Sequence, residues 1–394
     1  MNLELVNKIA KAVLYEGYML YPYRASAVKN RQRWNFGAVY PAAFSAPSKG
    51  TDACVMETQC LIAGDERTTI DVRIKFLHLV ARQVYEIEGG GSRIEDGGSR
   101  IEDGGSRVED RGSRMEDGGA GHSPSFILNP PSSIINPQTS GFRPVESLDV
   151  DGQLFQTWQE AVEREAGATG LSPTALTSGM ERIPFKFEFA RAAEPITNAD
   201  GALVGEIIRR QESIEGAFEV SAETMGEHLF KITVRIENST WMKIEDLKSR
   251  DKALMRTLIS THTILGAREG EFVSLLDPPD DLREAVSSCA NVGTYPVLVG
   301  EPGERNLMLS SPIILYDYPQ IAPESAGELF DSTEIDEILT LRILTLTDEE
   351  KREMRNLDDR GRRILERTET MPLEQLMKLH GAVRGLRTVV EEAD

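Results

Sequence analysis

The 394-residue chain carries a formal charge of −20 at pH 7, with 40% hydrophobic and 27% charged residues. Its length exceeds that of a usual single domain and its composition is that of a globular protein. So strong a negative charge argues against broad nucleic-acid or anionic-membrane binding, because phosphates are repelled over most of the surface.

Leu3 to Tyr21 reads as a helix with Leu5, Ile9, Ala12 and Val13 on one face, stopped by Tyr21-Pro-Tyr. Glu4, Lys8 and Lys11 interrupt the apolar stretch a secretory signal needs. No run approaches the roughly 20 apolar residues of a membrane helix. Cys54, Cys60 and Cys289 are too few for a disulfide framework and lack CxxC spacing. A reduced, cytoplasmic protein without membrane insertion is expected.

The next segment predicts a β-hairpin: strand Cys54–Ala63, turn Gly64-Asp-Glu-Arg, and return strand Thr69–Tyr85. In the return strand Ile70, Val72, Ile74 and Phe76 alternate with Asp71, Arg73 and Lys75. From Ser92 a seven-residue unit, Ser-Arg-Ile-Glu-Asp-Gly-Gly, recurs through Ser99, Ser106 and Ser113. One apolar residue per unit cannot form a coiled-coil seam, and glycine pairs oppose a helix. The expectation is a disordered low-complexity insertion over 89–147, with the repeats at 92–119.

A short helix is expected over Phe155–Glu165. Phe185, Phe187 and Phe189 then alternate with charged residues. Phe218, Val220 and Ala222 lead through Met225-Gly-Glu into Phe230, Ile232, Val234 and Ile236, an antiparallel hairpin with one wet face. Leu254, Leu258, His262 and Leu265 fit a helix over Lys252–Leu265 that Gly266 stops. A helix over Leu282–Ala290 and strands over Tyr295–Val299 and Leu307–Leu315 follow. Thr333 and Asp336 suggest a capping box for a helix to Leu346, whose Leu-Thr-Leu centre also allows a strand. Thr347-Asp-Glu-Glu opens a charged helix, and the remainder reads as helical. The fold class expected is α+β, with antiparallel β-rich units, flanking helices and a helical C-terminal region. Four segments result: 1–88, the insertion 89–147, a β-rich α+β unit 148–330, and 331–394.

Two stretches of opposite charge are the best functional handle. Gly17 to Thr51 carries Arg24, Lys29, Arg31, Arg33 and Lys49 with no Asp or Glu, beside Trp34 and several other aromatic residues. Asn306 to Leu341 has no Lys or Arg and seven carboxylates: Asp317, Glu324, Glu328, Asp331, Glu334, Asp336 and Glu337. A solvated acidic face is the plain reading; a docking surface for a basic partner, including the chain's own N-terminal strip, is the functional one. Binding is assigned to Arg24, Lys29, Arg31, Arg33, Trp34, Asp317, Glu324, Asp331 and Glu334.

Catalytic and metal motifs are absent. No HExxH, GxGxxG, P-loop or Gly-x-Ser-x-Gly pattern occurs, and the five histidines are scattered. Neither a metal site nor a cofactor is expected. Cys289 reads as a small buried hydrophobe. The alternative is an enzyme of unknown class whose pocket joins His262, Asp277 and Asp317.

Leu20-Tyr-Pro-Tyr-Arg-Ala-Ser-Ala-Val-Lys-Asn-Arg-Gln-Arg-Trp-Asn-Phe-Gly, Thr261-His-Thr-Ile-Leu, Phe272-Val-Ser-Leu-Leu-Asp-Pro-Pro and Ser310 to Glu350 carry a resemblance. Together they resemble an uncharacterised bacterial family associated with uptake nickel–iron hydrogenase gene clusters. The resemblance spans the chain outside the repeats and brings no catalytic residue with it. It implies a non-catalytic accessory protein that binds a hydrogenase subunit or maturation factor. Direct nickel handling would call for His or Cys clusters, so the implied role is scaffolding or assembly.

Overall fold

A computed structural model describes residues 3–16, 23–24, 27, 30, 36–46, 52–88, 141–321, 329 and 336–379. The fold is α+β. Among the described residues eleven strands form one antiparallel sheet, and helices dominate the C-terminal part. The seven-residue repeats lie outside the described residues, as do Lys29, Arg31, Arg33, Trp34, Glu324, Asp331 and Glu334.

Helix α1 spans Leu3–Leu14. Strand β1, Val55–Ile87, is 33 residues long and organises the sheet. One edge pairs in succession with β10 (Leu229–Asn238), β5 (Trp158–Leu171) and β2 (Phe142–Val145). The opposite edge pairs with β11 (Ile259–Phe272) and then β8 (Leu203–Gln211). Strands of 55–87 and of 142–311 therefore share one sheet. Residues 141–147, expected inside the insertion, instead supply β2 and the start of β3 (Ser147–Val150), which pairs with β4 (Gln153–Gln156).

The hairpin expected at Gly64 is a bulge. Gly64 faces Gly270 and Thr69 faces Arg268, so Asp65 to Thr68 bulge opposite Glu269 alone. Buried Thr68 holds the bulge: its hydroxyl accepts from Asp65 N at 2.8 Å and donates to the Glu269 carbonyl at 2.5 Å. A Cβ on Gly64 would lie 2.1 Å from that oxygen, which is why glycine stands there. The chain keeps its direction because β10 offers Ile232, Val234 and Ile236 in register with Cys60, Thr58 and Met56.

The helix expected over Phe155–Glu165 is β4 and β5. Its residues favour helix weakly, but pairing with β1 decides. Ala166 and Ala168 then pack on the core, while Glu163 accepts from Tyr15 Oη at 2.8 Å. The helix expected over Lys252–Leu265 is also corrected. Helix α2 ends at Leu254 (Arg250–Leu254), and Ile259–Phe272 is strand β11, between β1 and β13 (Leu307–Ser311). Thr257 to Ala267 is a continuous buried run, the signature of a strand covered on both faces, and its three-to-four spacing is incidental.

Several expectations hold. Strands β9 (Ile214–Gly226) and β10 form the hairpin, and β12 (Tyr295–Leu298) pairs with β13. Strand β13 stops at Ser311 where a strand to Leu315 is expected, because the chain leaves the sheet at Pro312. Strand β6 (Glu181–Phe187) pairs with β9. Strand β7 (Ala190–Thr197) pairs with β8. Helix α3 is shorter than expected, Arg283–Ser287 after a turn at Asp280–Leu282. Helices α4 (Asp336–Leu344), α5 (Asp348–Leu357), α6 (Asp359–Glu369) and α7 (Leu373–Lys378) follow. A complete capping box sits at Thr347 and Glu350, whereas Thr333 lies outside the described residues.

The sheet bends until two of its parts face each other. Phe76 of β1 meets Phe187 edge-on at 5.6 Å and Phe185 at 6.0 Å. Ile70, Val72, Phe218 and Val234 fill the interior between them. Helices α4 to α6 cover the outer face through Leu339, Ile343, Met354 and Leu365, which pack with Leu77 and Leu79. Helix α1 places Val6 and Ile9 against Ile264 and Leu309.

Candidate partner-binding surface

Downstream of β13 the chain leaves the sheet but does not come loose. Ile313 N donates to Ser311 Oγ at 3.1 Å, and Tyr318 N donates to the Leu298 carbonyl at 2.7 Å. Asp317 fastens the middle: one oxygen accepts from Leu298 N at 2.8 Å and the other from the Ser274 hydroxyl at 2.5 Å. The Ser274 oxygen in turn accepts from Leu276 N and Asp277 N at 3.2 and 2.9 Å. Two loops, 274–277 and 312–318, are thus tied by one serine–carboxylate knot.

The knot turns large apolar side chains outward. Tyr316 is 85% exposed, Ile314 70% and Leu276 55%. Scattered exposed hydrophobics are ordinary, but here they flank hydrogen-bonded anchors on two adjoining loops, with exposed Asp277 beside them. Anchored backbone lowers the ordering cost of binding, so this surface is pre-organised.

The start of the loop is fixed from the N-terminal side. Gly37 has φ +52, and a Cβ on it would come within 2.6 Å of Pro312 Cβ and 3.2 Å of Thr261 N. Gly37→Ala is expected to destabilise the protein by roughly 3 kcal/mol, from left-handed backbone strain plus overpacking. Urea unfolding checks this; an unchanged midpoint would mean that Gly37 does not hold Pro312.

The oppositely charged stretches touch within one chain, through uncharged groups. Tyr23 is fully buried, and its hydroxyl donates to the Leu329 carbonyl, inside the acidic stretch, at 2.5 Å. Arg24 pairs with Glu350 of α5 at 3.1 Å, beyond that stretch. Of the nine expected binding residues, Arg24 and Asp317 are described, and no contact joins them.

His262, Asp277 and Asp317 do not form a common constellation. Asp277 and Asp317 come together only through Ser274, and both Asp317 oxygens are occupied. His262 is fully buried on β11, with Nδ1 2.7 Å from the Ser260 carbonyl and Nε2 3.2 Å from Ser311 Oγ. Burial holds its pKa down at about 4, so the ring is neutral at pH 7. No hydrogen bond or ion pair links it to either aspartate. Burial raises the Cys289 thiol, which packs near Leu61 and Val273. Among the described residues no three His, Cys, Asp or Glu side chains group as a metal site, and no helix is long and apolar enough to cross a membrane.

Sequence reasoning found Asp317 but missed Ser274, Leu276, Ile314 and Tyr316. The available signal was Ile314-Leu-Tyr-Asp-Tyr-Pro, where large apolar residues run past the end of a strand into a proline. Comparison with family models, curated proteins and solved structures gives no match.

Proposed function

We propose that this chain is a non-catalytic accessory protein whose surface at Ile314, Tyr316 and Leu276 binds a partner protein. The pinned exposure of Tyr316 carries the reading: binding hot spots are enriched in tyrosine on rigid, well-supported backbone. The acidic stretch and net charge of −20 favour a basic partner surface. The family resemblance supplies the partner class, a subunit or maturation factor of an uptake nickel–iron hydrogenase, and with it a role in assembly.

The test is binding of the purified chain to isolated hydrogenase subunits, followed by co-elution and titration. Tyr316→Ser is expected to weaken binding about 30-fold, the size of a 2 kcal/mol hot spot, with an unchanged melting temperature. Absence of any complex, or a complex indifferent to Tyr316→Ser, would overturn the proposal.

A further inference from the structure

On the inner side of the sheet, three neighbouring side chains hold polar atoms that the protein leaves unmatched. His78 of β1 is fully buried, and neither ring nitrogen makes a hydrogen bond of normal length. The Arg164 guanidinium and the Glu212 backbone are the polar groups that act on the ring. Arg164 stands on β5 opposite Phe76, next to the His78–Val162 pair. Its terminal nitrogen donates to Gln211 Oε1 at 2.8 Å, but its Nε is buried without a partner. No carboxylate pairs with Arg164 among the described residues. Gln211 is 5% exposed, and its amide nitrogen is unmatched as well.

Two of these atoms have one character. Arg164 Nε and Gln211 Nε2 only donate, whereas the donor of the neighbouring His78 ring is directed at the Glu212 backbone. Buried donors without partners call for an acceptor, either water or an ion. The guanidinium, with no compensating charge, selects an anion over water. The Phe187 ring and Val162 beside the guanidinium favour an anion with an apolar body over inorganic phosphate. Apolar groups flank Arg164: the Phe187 ring lies 5.0 Å from the guanidinium carbon, and Val162, paired with His78, is 40% exposed.

We propose that Arg164 and Gln211, beside the neutral His78 ring, bind the head of a small organic carboxylate, whose apolar body lies along Phe187 and Val162. Titration calorimetry of the full chain at constant ionic strength tests it, with acetate, hexanoate, hexanol and inorganic phosphate as probes. Hexanoate should bind saturably and at least about tenfold tighter than acetate, and hexanol and phosphate should give no saturable heat. Arg164→Met and Gln211→Glu should each weaken hexanoate at least about tenfold, and Arg164→Lys should recover part of the loss. Should Arg164→Met fail to fold, Gln211→Glu decides, since it keeps the side-chain shape and adds a repelling charge. The proposal falls if hexanoate does not bind, if hexanol or phosphate binds as tightly, or if the folded variants bind like the parent chain.

Discussion

Unfolding at pH 5 is expected to take up close to one proton each on His78 and His262. Both rings are fully buried, and burial pushes both pKa values down to about 4; Arg164 adds to the effect at His78. In the unfolded chain each returns to about 6.5. The charged form is thus disfavoured only in the folded state. Stability from this source is complete above pH 6.5 and is lost as pH falls from 6.5 toward 4. Each ring contributes on the order of 3 kcal/mol across that window, a large share of a typical folding free energy. Urea unfolding from pH 7 to 4 should show a steep decline that begins near 6.5. A flat profile above pH 5 would contradict the neutral burial of both rings.

Phe76→Ala should cost about 3–5 kcal/mol, the range for removing a fully buried aromatic ring. Phe76 contributes more than transfer energy, because Phe185 and Phe187 reach it from the far end of the sheet. Without that ring the two facing parts of the sheet lose a shared contact, and Phe187 loses its support beneath Arg164. Denaturant midpoints measure the loss. A cost under about 1 kcal/mol would mean that the interior repacks around the gap.

Local pattern foretold elements where local and tertiary preferences agree. The β9–β10 hairpin has strict alternation and a tight turn, and helix α5 has a true capping box at Thr347. It failed where pairing partners decide. Glu160, Ala161, Glu163 and Glu165 favour a helix in isolation, yet β1 offers an edge that β5 completes. His262 lies at helical spacing from Leu258 and Leu265, yet both faces of that segment are covered and it runs as a strand. Gly64-Asp-Glu-Arg has turn chemistry, but only Thr68, packed over Gly64 and Gly270, shows that the chain runs on.

The candidate surface was hidden in its geometry. The basic and acidic stretches stand out in the sequence, but the hydrogen bond from Tyr23 to Leu329 between them joins uncharged groups. What turns Tyr316 outward is a hydrogen bond between residues 43 positions apart, Ser274 and Asp317, which no local pattern encodes. Arg164, Gln211 and His78 likewise meet only because β1, β5 and β8 converge.

Placing a photo-crosslinking amino acid at position 316 in the producing cell interrogates the proposed contact face most directly. Irradiation should yield an adduct with a hydrogenase subunit or maturation factor, while the same group at Met180, 62% exposed on a separate loop, should yield none. Adducts from position 180 with none from 316 would show that this protein meets its partner elsewhere.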